Sequence, residues 1–176
     1  DSGIKPITIS VNLTSKEFMQ ENFLIVLNEI VNNTGIEANY LELEITERLV
    51  MKDLDIALGI LKELKAIGVK ISLDDFGTGY SSLNYLKRLP IDTIKIDKSF
   101  MNEITEDSKE EAIAETIIEL AHKMNLTVIA EGIETIKQLE FIKEHKCDKA
   151  QGYYFSKPIP VDEVEKLLLF SSEYKS

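Results

Sequence analysis

Cysteine is close to absent. Cys147 is the only one in 176 residues, so the chain can form no internal disulfide and no thiolate zinc cluster, which suits a reducing compartment. We read Cys147 as an inert thiol at or near the core. Tryptophan is missing and histidine is scarce; His122 and His145 fall on helical segments and are read as structural. Positive charge is short as well: 20 Lys and Arg against 31 Asp and Glu leave a net charge of -11. Polymeric nucleic acid is held by clustered Lys and Arg, so that partner is excluded, whereas a small phosphate ligand held through metal ions is compatible with the balance. Apolar runs fall far short of the roughly 20 residues of a membrane span, and the first residues lack the basic and apolar regions of a signal peptide. The expectation is one soluble domain over residues 1–176, with 44% hydrophobic residues to fill its core.

What is present is a strand followed by a helix, repeated about six times. Thr8 to Leu13 alternates as a strand, and Ser15 is placed to cap a helix carrying Phe18, Met19, Phe23, Val26, Leu27 and Ile30, which Gly35 ends. Leu41 to Thr46 is the second strand, before a helix from about Asp53 to Ala66 closed by Gly68. Val69 to Leu73 is the third, leading through a glycine turn into a short helix near Ser82 to Lys87 that Pro90 stops. Thr93 to Asp97 is the fourth, followed by an acidic linker and a helix from about Lys109 to Met124. Thr127 to Ala130 is the fifth, with a helix from about Thr135 to His145; a short sixth around Ala150 to Tyr154 precedes a last helix from about Val161 to Phe170.

With no hairpin dipeptides between the strands, this order predicts a parallel sheet with right-handed crossovers, in an α/β barrel or a doubly wound sheet. Polar residues recur at even spacing: Ser10 and Asn12, Glu42 and Glu44, Ser72 and Asp74, Lys95 and Asp97. Their aliphatic neighbours Ile9, Val11, Leu41, Leu43, Ile71, Leu73, Ile94 and Ile96 take the opposite face. Doubly wound sheets bury aliphatics on both faces, whereas a barrel has a lumen whose mouth lies at the C-terminal ends of its strands. We therefore expect a TIM-like (β/α) barrel, incomplete here at about six strand-helix units, since a full one takes roughly 250 residues.

The stretch from Ile71 to Leu83 carries the most chemistry: an apolar run, the adjacent carboxylates Asp74 and Asp75, then a turn bounded by Gly77 and Gly79. Neighbouring carboxylates repel and are costly to desolvate, so they sit beside a compensating cation or strong donors, or else they cap the following turn. Asn12, Glu44, Asp74, Asp75, Lys95, Asp97, Glu131 and Gln151 all fall at or near strand ends and converge on the predicted mouth. Hard oxygen donors of this kind suit magnesium, manganese or calcium. Asp74 could bridge two ions with Asp75 completing the second site, an arrangement that suits in-line attack of water on a phosphodiester. Lys95 would orient or deprotonate that water, or offset developing charge.

Leu43-Glu44-Ile45-Thr46-Glu47, Asp74 to Leu83 (DDFGTGYSSL), Ile94-Lys95-Ile96-Asp97, Ala130-Glu131-Gly132-Ile133-Glu134 and Gln151-Gly152-Tyr153-Tyr154-Phe155 together resemble the EAL-domain family of bacteria. The resemblance runs from about Thr8 to the last helix. It implies a barrel that hydrolyses cyclic di-GMP to linear pGpG with two Mg or Mn ions. By motif position Asn12, Glu44, Asp74, Asp75 and Glu131 match metal ligands, and Lys95 matches the residue near the attacking water, with Glu131 beside it in catalysis. Glu134, Gln151 and Asp97 match positions that meet the substrate or brace the ligands. Glu47 matches the glutamate that anchors the loop from Phe76 to Leu83 and links substrate binding to dimerisation.

The Glu-Ala-Leu signature of that family, whose glutamate is a metal ligand, would precede Asn12 by several dozen residues and is not in the chain. The expectation is therefore an EAL-type domain truncated at its N-terminal side, active as a cyclic di-GMP phosphodiesterase when complete and inactive as the 176-residue chain alone. The alternative is a catalytically inactive module that binds the dinucleotide and passes on a signal. The resemblance further implies a homodimer, an upstream sensory or GGDEF-type domain, and a cytoplasmic location within a protein that can itself be membrane-attached.

Overall fold

The computed structural model describes residues 6–79, 83–102, 104 and 108–173, with side chains as far as residue 169. Strands and helices alternate: β1 (Ile9–Asn12), α1 (Ser15–Phe18), α2 (Phe23–Thr34), β2 (Leu41–Thr46), α3 (Glu47–Lys52), α4 (Leu54–Ile67), β3 (Lys70–Phe76) and α5 (Leu83–Leu86). The second half continues with β4 (Thr93–Ile96), α6 (Lys98–Asn102), α7 (Lys109–Lys123), β5 (Thr127–Ala130), α8 (Ile136–Glu144), β6 (Lys149–Ala150) and α9 (Val161–Glu173). The six strands form one sheet in the order β1-β2-β3-β4-β5-β6, every pair parallel. Sequential order with constant direction curls a twisted sheet around one axis, and the result is an open TIM-type barrel with six of the usual eight strands.

The period-two reading decides which side chains go where. Leu43, Ile45, Ile71, Leu73, Ile94, Ile96, Val128 and Ala130 are buried in the apolar layer shared with residues of α2, α4 and α7. Glu42, Glu44, Ser72, Thr93 and Lys95 are buried as well, on the concave side. The alternation predicts that Ile9 and Val11 join the apolar layer, but β1 is an edge strand and they remain 50% and 43% exposed.

Several boundaries differ from expectation for local reasons. Thr14, not Ser15, caps the first helix, through a capping box with Glu17. That helix then stops at Phe18, and the chain restarts at Phe23, whose ring lies 6.1 Å from that of Phe18. The helix α3 was not expected; Thr46 caps it, and Asp53 separately caps α4. The sixth strand is only two residues long and does not reach Tyr154, because Gly152 is pressed against the Ile133 backbone, where a Cβ would lie 2.1 Å from the Ile133 carbonyl oxygen. Ser82, expected to start the short helix, and Glu103 in the acidic linker lie outside the described residues.

Candidate active site

The third strand runs through both aspartates instead of ending at Leu73. Leu73 pairs with Ile94 and Phe76 with Ile96, so three steps on β3 match two on β4, a bulge. Strict alternation would turn Asp75 to the apolar side with Ile71 and Leu73. The bulge, with Asp75 held at φ 54°, brings its carboxyl to that of Asp97 instead. Burial, the charges of Asp74 and Asp97 and a hydrogen bond with the Asp97 carboxyl all push the Asp75 pKa upward.

Lys95 is the centre of the site. It rises from the middle of β4, its side chain only 3% exposed, and its Nζ lies 2.7 Å from Glu44 Oε2, 2.6 Å from Glu131 Oε1 and 3.6 Å from Asp74 Oδ1. Burial alone would lower the lysine pKa, but the hydrogen bonds to Glu131 and Glu44 and the charge of Asp74 outweigh it and hold the ammonium above its ordinary value. Burial likewise raises the Glu131 pKa, against the pull of Lys95. One ammonium thus faces three carboxylates drawn from β2, β3 and the loop after β5.

That balance is incomplete. Asp74 Oδ1 is buried and makes no hydrogen bond. Among the described residues no three His, Cys, Asp or Glu side chains are gathered so as to hold a metal ion, because the carboxylates converge on the lysine instead. The donor chemistry nevertheless fits a hard divalent cation: carboxylate oxygens, excess negative charge and an orphaned buried oxygen.

Other predicted residues lie at the rim. Asn12 ends β1 in register with Glu44 and is exposed. Asp97 follows β4 and accepts from the Ser99 N–H at 2.9 Å. Glu134 and Gln151 are exposed on two loops laced together by Ile133 N–H to Gln151 O and Tyr154 N–H to Ile133 O. Gly132 makes this possible at φ 68°, where a Cβ would lie 2.5 Å from that of Lys98. Buried Gln138 fixes the same loop, accepting from the Glu134 and Thr135 N–H groups and donating to Met101 O.

Glu47 is buried, and its carboxylate lies against the backbone at Gly79, so it touches the loop it was expected to anchor; Tyr80, Ser81 and Ser82 lie outside the described residues. Beside it is a cavity of about 430 Å³ with Thr46, Arg48, Met51, Asp75 and Thr78 among its walls. Arg48 and Met51 were missed in the sequence because they belong to the unexpected α3. Thr93 was missed too, although it falls two residues before Lys95 and shares its face. The histidines lie elsewhere: His122 meets Asp148 at 3.2 Å, and His145 meets Glu115 at 3.4 Å and stacks on Phe141.

Known proteins place this arrangement in a family. The EAL domain model matches residues 1–158. The chain is 40% identical to "Cyclic di-GMP phosphodiesterase NbdA" of Pseudomonas aeruginosa over 95% of its own length and 21% of that protein. It is 42% identical to "Bifunctional diguanylate cyclase/cyclic di-GMP phosphodiesterase MucR" of the same species, over 93% of its length and 24% of that protein. The solved "PaMucR Phosphodiesterase, c-di-GMP complex" superposes with a TM-score of 0.86 at 42% identity, over 89% of this chain and 64% of that one. The chain therefore spans about a fifth to a quarter of the length of these curated relatives, and within that span it belongs to the EAL domain family.

Proposed function

We propose that this chain is part of an EAL-type phosphodiesterase domain that, in the complete protein, hydrolyses cyclic di-GMP to linear pGpG. The observation that carries the proposal is the cluster of Glu44, Asp74 and Glu131 around Lys95, with a buried Asp74 oxygen that accepts no hydrogen bond. Two relatives whose names include cyclic di-GMP phosphodiesterase support the choice of substrate.

In this reading Asn12, Glu44, Asp74, Asp75 and Glu131 would hold Mg or Mn through their oxygens. Bound divalent ions supply Lewis acidity and a water of lowered pKa. Lys95, released from Glu44 and Glu131, turns its Nζ toward the attacking water and the phosphoryl oxygens, orienting the one and offsetting charge on the other. Glu131, 2.6 Å from Lys95, would accept a hydrogen bond from that water as well as help hold the metal. Asp97 braces Asp75, while Glu134 and Gln151 at the rim meet the nucleotide. Glu47 sets the loop after β3, which forms one wall beside Asp75. We further propose a homodimer, an upstream sensory or GGDEF-type domain and a cytoplasmic location; among the described residues no helix is long and apolar enough to cross a membrane.

The test is product analysis on the full-length protein with manganese and cyclic di-GMP. Formation of pGpG that stops when the metal is chelated is expected. Binding of the dinucleotide with no pGpG formed would refute the assignment.

A further inference from the structure

Glu47 does not hold its position unaided. Tyr85, the third residue of α5, is 5% exposed, and its Oη donates to Glu47 Oε1 at 2.6 Å across 38 residues of sequence. The tyrosine ring belongs to the apolar core, so its hydroxyl is fixed by packing and must find a polar partner there. The same carboxylate lies against Gly79, where a Cβ would lie 2.9 Å from Glu47 Cδ and 3.0 Å from each carboxylate oxygen. It is therefore bound by a rigid donor and packed against the loop backbone at Gly79. A bond of 2.6 Å from a donor locked by packing fixes the orientation of the carboxyl group.

We infer that Tyr85 is a positioning residue for the loop that follows the aspartate pair, acting through Glu47. Its hydroxyl selects one orientation of the carboxylate, that orientation sets where Gly77 to Gly79 run, and the wall of the cavity beside Asp75 follows. The consequence for substrate rests on the proposed phosphodiesterase activity, but the consequence for the loop does not. Phenylalanine at this position keeps the ring and removes only the donor, so the effect of the hydroxyl can be isolated from the packing.

The experiment is hydrogen exchange on the full-length protein and on Tyr85→Phe, Glu47→Ala and the double variant, with cyclic di-GMP kinetics and manganese titration alongside. Tyr85→Phe is expected to speed exchange at Thr78 and Gly79 about tenfold, the loss of one hydrogen bond to a charged group, while exchange in α7 and manganese affinity stay unchanged. KM should rise several-fold with a smaller change in kcat. The double variant should exchange no faster than Glu47→Ala, because a residue acting through another adds nothing once that other is gone. Unchanged exchange at Gly77 to Gly79 in Tyr85→Phe would overturn the inference, and so would additive effects in the double variant. If the wild-type protein does not hydrolyse cyclic di-GMP, the proposed function fails while the exchange cycle still decides the role of Tyr85.

Discussion

Two groups of buried carboxylates lie on the concave face of the same sheet, one alternation apart along β2, and they are solved differently. Glu42, nearer the N-terminal ends of the strands, accepts from Thr93 Oγ1 at 2.8 Å and Ser10 Oγ at 3.1 Å. Both partners are neutral hydroxyls, and they tie β1 and β4 to β2. Glu44, two residues on, shares a single ammonium with Glu131 and Asp74, and Asp74 Oδ1, 3.6 Å from that ammonium, accepts no hydrogen bond. The first group is closed and holds strands together. The second sets three carboxylates against one ammonium, the imbalance that the proposed divalent ions would offset. Buried charge alone therefore does not mark a functional site; an unbalanced count of partners does.

Exchanging the chemistry at the two positions separates them most sharply. In the full-length protein, Asp74→Ala should lower turnover by more than the roughly 10–100-fold typical of residues that merely brace metal ligands, and should remove manganese-dependent stabilisation. Without metal, that variant should lose little stability, since the buried oxygen it deletes accepts no hydrogen bond and Lys95 keeps its shorter contacts to Glu44 and Glu131. Thermal melts with and without manganese check both. Retained metal stabilisation in Asp74→Ala would merge the two groups into one structural class.

Lys95→Ala is the next largest change. Removing the ammonium that faces three carboxylates should cost the metal-free protein about 3–5 kcal/mol, and added manganese should recover much of it while turnover stays low. Chemical denaturation in both states measures the difference. If the variant no longer takes up manganese, the lysine belongs among the metal-holding residues and not beside the water.

Gly152→Ala tests the scaffold of the mouth. A Cβ 2.1 Å from the Ile133 carbonyl oxygen must displace the loop that delivers Glu131, at a cost of about 1–3 kcal/mol or more. Glu42→Ala should cost a similar or smaller amount, about 1–3 kcal/mol, by stranding two hydroxyls, yet leave manganese affinity intact.

Much of this was legible before the fold was known. Period-two polarity in β2, β3 and β4 gave the concave face, and evenly spaced strand-helix units gave the parallel order. The bulge at Asp75 was not legible, because alternation read strictly assigns that residue to the apolar side. Nor was the Tyr85 to Glu47 bond, which spans 38 residues and depends on how α5 packs. The lysine was read as a residue beside the water; that it gathers the carboxylates to itself follows from barrel curvature, which no local pattern encodes. Thr93 was within reach of the pattern, and the strand reading stopped short of using it.

The smallest expected effect concerns a group in neither cluster. Burial raises the Cys147 thiol to about 11 from a usual 9.0, and its sulfur approaches the Lys149 carbonyl at 3.2 Å. The thiol stays protonated in the fold after the unfolded chain has begun to ionise, so its contribution to stability is complete below about pH 9 and fades as pH climbs toward 11. Alkylation of the native protein at neutral pH should be slow, and should speed up sharply on unfolding. Rapid modification of the native protein would place the thiol in a more open site.

The central claim is that the Asp74 oxygen without a hydrogen bond is a cation ligand, and anomalous diffraction from crystals of the full-length protein soaked in manganese tests it most directly. The account predicts a manganese peak about 2.1 Å from Asp74 Oδ1, with Lys95 drawn away from Glu44 and Glu131. A protein that turns over cyclic di-GMP in the same buffer, with manganese bound elsewhere and all three carboxylates still on the lysine, would contradict it.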